Sequence, residues 1–142
     1  MKEILFYSRG TEYGWLSNFE RAPQIINGIE YPTNEHYYQS EKANTYDIRN
    51  WIINAPNPFL AMKAGRSLRK KEMTRDWNRK KIIVMKEGLR AKFTQNGMLK
   101  GQLLNTGDAI LHENSPTDMI WGIKGLDLLG ILLMEIRDEL NE

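Results

Sequence analysis

Cysteine is absent from the 142 residues, which excludes disulfides, thiolate metal sites, iron–sulfur clusters and cysteine nucleophiles. Histidine is scarce, with only His36 and His112. Neither stands in an H-E-x-x-H pattern, so no metal site is expected. No stretch approaches the roughly 20 consecutive apolar residues of a membrane helix, and no membrane partner is expected. The first apolar run stops at Tyr7, too early for a signal peptide, so a cytoplasmic enzyme or binding protein is the expectation. Neither G-x-x-x-x-G-K-[ST] nor G-x-G-x-x-G occurs, and no cofactor is expected. Nothing surrounds Ser8 or Ser17 that would make a nucleophile elbow.

What is present suits a globular chain: 41% hydrophobic and 27% charged residues, without repeats or low-complexity stretches. The length is that of one domain, residues 1–142. Ile4–Tyr7 reads as a strand. Gln24–Tyr31 reads as a hairpin, because Asn27-Gly28 supplies the two positive φ angles of a type I′ turn. A helix is predicted to start at Pro32-Thr33-Asn34, with Thr33 or Asn34 as N-cap, and to run to Asn44. Helices follow over Tyr46–Ala55 and Phe59–Lys71. Another covers Arg79–Gln95, with Ile82, Met85, Leu89 and Phe93 on one stripe, and ends at Asn96-Gly97. Asp108–Glu113 suits a short strand. The last helix carries Leu126, Leu129, Leu133, Ile136 and Leu140 as its core face. The fold class is therefore α+β, compact and mainly helical, with a small sheet or hairpin.

Three constellations carry chemistry. Glu35, Tyr38, Gln39 and Lys42 are spaced i, i+3, i+4 and i+7, which puts a carboxylate, an amide and an amine on one helix face. Such a face could move a proton, and a desolvated Lys42 could attack a carbonyl-like carbon. The same spacing also suits a plain solvated face. Trp121-Gly122-Ile123-Lys124-Gly125, preceded by Asp118, could offer an exposed indole and bare backbone to a ligand, or be only a turn. Asp118 could complement Glu35 in glycosidic-bond chemistry. The modest net charge of +2 hides a basic middle: Arg66, Arg69, Lys70, Lys71, Arg75, Arg79, Lys80, Lys81, Lys86, Arg90 and Lys92, with Trp77 interleaved. That run could track phosphates while an aromatic stacks on a base, or be a solvated helical surface.

Taken in order, several segments resemble the NADAR (YbiA-like) family. Leu16-Ser17-Asn18-Phe19 is similar to its N-terminal motif. Tyr31 through Lys42 fits its signature Y-x-T-x-E-H-x-x-Q-x-x-K. Ala64-Gly65-Arg66, Trp77, Met85, Phe93–Asn96, Leu103–Gly107, Glu113-Asn114-Ser115, Asp118–Gly122 and Leu129–Arg137 continue in the family's order. The resemblance spans nearly the whole chain and implies a hydrolase of N-glycosidic bonds. The implied substrates are guanine bases carrying ADP-ribose in nucleic acid, or ribosyl-phosphate intermediates of riboflavin biosynthesis. A non-catalytic reader of ADP-ribose or NAD is the alternative of another class, and a nucleic-acid-binding module without chemistry is a weaker one.

The resemblance also implies roles. Glu35 is the catalytic glutamate, Lys42 the lysine of a Schiff-base intermediate, and Asp118 the active-site aspartate. Asn18, Phe19, Tyr38, Gln39, Arg66, Trp77, Trp121 and Gly122 are the expected substrate-binding residues. Two positions depart from the family pattern: Lys124 stands where glycine is usual, and Asp127 where asparagine is common. A carboxylate at Asp127 would disfavour a pyrophosphate nearby, with Lys124 offsetting it.

Overall fold

A computed structural model describes residues 2–142. They form four short strands and six α-helices, an α+β fold that is mainly helical. Two compact units divide the chain, Arg21–Ala91 and Met1–Glu20 with Lys92–Glu142.

The Arg21–Ala91 unit opens with the hairpin. Strands β1 (Gln24–Ile26) and β2 (Ile29–Tyr31) pair antiparallel, Gln24 opposite Tyr31 and Ile26 opposite Ile29. Asn27 and Gly28 take φ of 52° and 79°, the positive pair that this turn requires. Helix α1 (Asn34–Glu41) follows, with Thr33 as its N-cap: Thr33 Oγ1 accepts the His36 N–H. Asn34 through Ser40 are all buried. The helix therefore has no solvated face, although its side chains are largely polar.

Helix α1 ends at Glu41, three residues before the predicted stop. Competing backbone partners account for this. Lys42 O accepts from Thr74 N–H at 2.8 Å, and Asn44 N–H donates to Glu72 O at 2.9 Å. Ala43 and Met73 form an isolated antiparallel bridge. Helices α2 (Tyr46–Ile53) and α3 (Pro58–Arg66) are capped by Thr45 and Asn57, and Pro58 sits at a helix start where its missing N–H costs nothing. The predicted continuation to Lys71 breaks at Ser67 and resumes as a 3-10 turn over Lys70–Glu72. There the Glu72 carboxylate accepts the Arg69 N–H at 2.8 Å. Ala43, Ile52 and Ala61 form a buried apolar cluster, with Ile48, Ala55, Ala64 and Leu68 packed against it. Helix α4 (Trp77–Gln95) contributes Met85 and Leu89 to the core, whereas Ile82, predicted for that stripe, is 38% exposed.

In the other unit, the N-terminal strand βN (Glu3–Phe6) and strand βC (Ile110–Glu113) pair in parallel, with Phe6 opposite Glu113. Helix α5 (Gly97–Asn105) starts immediately after α4, at the Asn-Gly pair that sequence patterning reads as a stop. Asn96 breaks the helix with an extended backbone and stands at the N-cap position of the next, while its side-chain amide donates back to Lys92 O at 2.8 Å rather than capping. Helix α6 (Leu128–Leu140) buries Leu129, Leu133 and Ile136, but Leu126 lies outside it and is 65% exposed. Gly130 lets α6 lie directly against the Leu111 carbonyl of βC, where any Cβ would overlap.

Gly88 provides a test of α1's tight packing within the first unit. A Cβ there would strike Asn34 Oδ1 and come within 2.8 Å of the Tyr37 ring. Gly88→Ala should therefore destabilise the fold by about 2 kcal/mol, measured by chemical denaturation. An unchanged midpoint would show that α1 and α4 are free to move apart.

Candidate functional site

The signature residues converge on α1. Glu35 lies in its first turn, 7% exposed, where the helix macrodipole favours a carboxylate. Gln39, one turn on, donates its amide N–H to Glu35 Oε2 at 2.7 Å. Lys42 is the C-cap residue, half-buried, with Nζ 3.4 Å from both Gln39 Oε1 and the Gly65 carbonyl oxygen. The Gln39 amide thus links the carboxylate to the amine. Gly65 has no side chain because Gln39 occupies that space. Burial lowers the Lys42 pKa; the Glu35 charge opposes the shift, and Arg66 and Lys81 reinforce it.

His36 belongs to the support. Its backbone N–H donates to Thr33 Oγ1, its Nδ1 lies 2.8 Å from that hydroxyl, and its Nε2 lies 3.0 Å from the Ala55 carbonyl. Burial lowers its pKa, favouring the neutral ring that donates from Nε2 and accepts at Nδ1. Tyr38 packs on Trp77 with ring centroids 5.2 Å apart. Trp77 also borders a cavity of about 580 Å³ whose walls include Lys70, Arg75, Asn78 and Arg79. Arg66 is exposed at the end of α3. Glu35, Tyr38, Gln39, Lys42, Arg66 and Trp77 therefore all belong to the Arg21–Ala91 unit.

The other expected residues belong to the second unit. Asn18 is buried and Phe19 half-buried, with the Phe19 N–H donating to Ser17 Oγ at 3.1 Å. Asp118 Oδ1 accepts from the Ile120 and Trp121 N–H groups at 3.0 and 2.9 Å, which shapes the turn. Trp121 is only 7% exposed, so the indole predicted to be exposed is largely enclosed. The bare Gly122 backbone is used by that turn: a Cβ would come within 2.7 Å of Asp118 O and 3.1 Å of Ser115 Cβ. Asp127 is paired with His112, Oδ2 to Nδ1 at 2.6 Å, so its carboxylate already has a cationisable neighbour; Lys124 is exposed.

Lys92 belongs to the basic run, read as a phosphate track or a solvated surface, and the structure supports neither for this residue. Its side chain is fully buried. Nζ donates to the Trp15 and Ser17 carbonyl oxygens at 2.7 and 2.8 Å and lies 5.0 Å from the Phe93 ring centroid. Burial pushes its pKa down to about 7, with the Glu20 carboxylate pulling the other way. The signal was in the pattern, since Lys92 follows Met85 and Leu89 on the same buried stripe at helical spacing. Among the described residues no helix is long and apolar enough to cross a membrane.

The NADAR domain model matches residues 5–141. The N-glycosidase YbiA of Escherichia coli strain K12 is 40% identical over 141 residues, covering 96% of this chain and 88% of that protein. A riboflavin biosynthesis protein of Vibrio vulnificus is 34% identical over 98% of this chain, which corresponds to 39% of that longer protein. The NMR structure of E. coli YbiA superposes with a TM-score of 0.90 at 39% identity, covering 99% of this chain and 85% of that one.

Lys92 generates a pH prediction. With a folded pKa near 7 and an unfolded value of about 10.4, the unfolded chain holds the extra proton between those limits. Stability should therefore rise with pH, by about 2 kcal/mol between pH 7 and 9, relative to Lys92→Met. Parallel curves of unfolding free energy against pH for the two proteins would show that the buried amine keeps its ordinary pKa.

Proposed function

The chain belongs to the NADAR family and is an N-glycosidase, and from that premise we propose that it removes ADP-ribose from guanine bases of nucleic acid. The observation that carries the reading is the buried Glu35–Gln39–Lys42 relay on α1. Burial lowers the Lys42 pKa, which increases its neutral, nucleophilic fraction at a given pH.

Glu35 carries the proton lost by the base nitrogen to the ribose ring oxygen as the ring opens, and then carries the protons lost by the Lys42 amine to the departing base. The Lys42 amine forms a bond to the anomeric carbon as the carbon–nitrogen bond to the base breaks, leaving an imine between enzyme and sugar. Water then adds to the imine carbon, the bond to Lys42 breaks, and free ADP-ribose and the amine are regenerated. Gln39 holds both reacting groups in register. Arg66 and the basic cavity beside Trp77 support a substrate rich in phosphate.

A second reading, hydrolysis of a small ribosyl-phosphate intermediate, is favoured by one observation: the Vibrio vulnificus relative is named a riboflavin biosynthesis protein. A side-by-side assay decides between them. The protein would be given a guanine-ADP-ribosylated oligonucleotide and a riboflavin-pathway pyrimidine ribose phosphate, with products followed by mass spectrometry. Loss of the ADP-ribose mass from the oligonucleotide alone is expected. Cleavage of the small phosphate alone would reverse the assignment.

Two variants test the chemistry. Glu35→Gln should reduce turnover by at least about 100-fold while leaving the thermal midpoint within a few degrees. Full activity would remove Glu35 from proton transfer. Borohydride added during turnover should fix a sugar adduct on Lys42, read by peptide mass. An adduct undiminished in Lys42→Ala would place the imine on another amine.

A further inference from the structure

Helices α2 and α3 of the Arg21–Ala91 unit hold a cavity of about 430 Å³, lined mainly by Trp51, Ala55, Pro56, Leu60, Lys63 and Ala64. That volume suits a planar heterocycle. The cavity is seated on the core: Ile52 and Ala61 are fully buried, and Ala55 and Ala64 pack against them. The Ala55 carbonyl also accepts from His36 Nε2 of α1 at 3.0 Å. Gly65, next to Ala64 in α3, meets the relay instead. Its missing Cβ makes room for Gln39, and its carbonyl oxygen lies 3.4 Å from Lys42 Nζ. One helix therefore carries both the cavity and a contact to the Glu35–Gln39–Lys42 relay.

The rim is not built for burial within the unit. Trp51 is 58% exposed, and Phe59 and Leu60 are exposed beside it in sequence on α3. Large apolar side chains left in water at the mouth of an apolar cavity mark a surface that takes a partner.

Charge selects the partner. No acidic residue occurs between Asp47 and Glu72, whereas Arg49, Lys63, Arg66, Arg69, Lys70 and Lys71 do. Of these, Arg69 is paired with Glu72. Lys63 lines the cavity, and its Nζ stands 5.2 Å from the Phe59 ring centroid, which keeps the ammonium at the rim. An acid-free cationic surface around a bare indole complements a polyanion whose units have flat apolar faces. Nucleic acid has both properties, but its base faces are open only in a single strand. In a duplex they are stacked on one another, and the indole would meet none of them.

We propose that the α2–α3 cavity is a binding site for single-stranded nucleic acid, seating one base against the Trp51 indole with Lys63 on the adjoining phosphate. It takes a nucleotide that flanks the modified one, and stacking makes it tolerant of sequence. The proposal rests on the reading that the substrate is ADP-ribosylated nucleic acid, but its binding arm needs no turnover.

A fluorescently labelled oligothymidylate of about 12 nucleotides, free of ADP-ribose, would be titrated into wild type and variants, with binding followed by anisotropy. Trp51→Ala should weaken binding at least about 10-fold, whereas Trp51→Phe, which keeps a ring face, should stay within roughly 3-fold of wild type. Lys63→Ala should lower the slope of log affinity against log salt by about 0.7. Both side chains are exposed, so thermal midpoints should hold within a few degrees. Failure of the wild type to bind the oligothymidylate, or equal binding by Trp51→Ala, would overturn the site. So would a dimer in sedimentation that Trp51→Ala breaks, which would assign the surface to a second copy of this chain.

Turnover separates the site from the substrate reading. On a guanine-ADP-ribosylated oligonucleotide, Trp51→Ala should raise KM and leave kcat unchanged. An unchanged KM, with the wild type active, counts against the site alone. A wild type that fails to cleave that oligonucleotide counts against the substrate reading, and oligothymidylate binding that depends on Trp51 would still support the site.

Discussion

A helix of mostly polar side chains, buried from Asn34 to Ser40, is the constraint on which the Arg21–Ala91 unit depends. Buried polar groups are costly unless they are hydrogen-bonded, so the surroundings of α1 have to satisfy them. Gln24 donates to Asn34 Oδ1 at 3.1 Å and to Gly88 O at 3.2 Å, which joins the hairpin to α1 and α4. Asn34 in turn donates to the Met85 sulfur. His36 reaches from the Thr33 cap to the Ala55 carbonyl at the end of α2. Gly65 and Gly88 leave room for Gln39 and Asn34. Much of the unit's sequence is an accommodation of this one helix.

The same constraint holds the groups proposed for catalysis. Glu35, Gln39 and Lys42 are held by a segment that cannot turn outward without stranding its neighbours' polar groups. Their geometry is therefore set before any ligand arrives, as the proposed proton transfer and amine attack require. The second unit solves a similar problem with a buried amine. Lys92 Nζ sits among backbone carbonyls and an aromatic ring, a placement that costs solvation and ties down the Trp15 and Ser17 carbonyls. Such a lysine would be a poor choice for stability alone.

Local chemistry was legible where it is decided locally. The Asn27-Gly28 turn and the Thr33 cap depend on one or two residues whose preferences are intrinsic, and both form as read. The Asn96-Gly97 pair was half legible: it does end α4, but Asn96 also stands at the N-cap position of α5, and such a residue looks the same whether a loop or another helix follows. The end of α1 at Glu41 is not legible in sequence because remote backbone partners compete for its last turn, and such partners are invisible to a window of neighbouring residues.

Sequence by itself determined the fold class, the family and the one helical face that brings Glu35, Tyr38, Gln39 and Lys42 together, because these follow from composition, residue order and a 3.6-residue period. Only the tertiary structure decided that this face is buried, that Trp121 is enclosed and that Lys92 lies inside the protein. Burial depends on what lies across from a residue in space. The stripe of Met85, Leu89 and Lys92 marks a helix face, but only what packs across from that face sets the dielectric around the Lys92 amine and hence its chemistry.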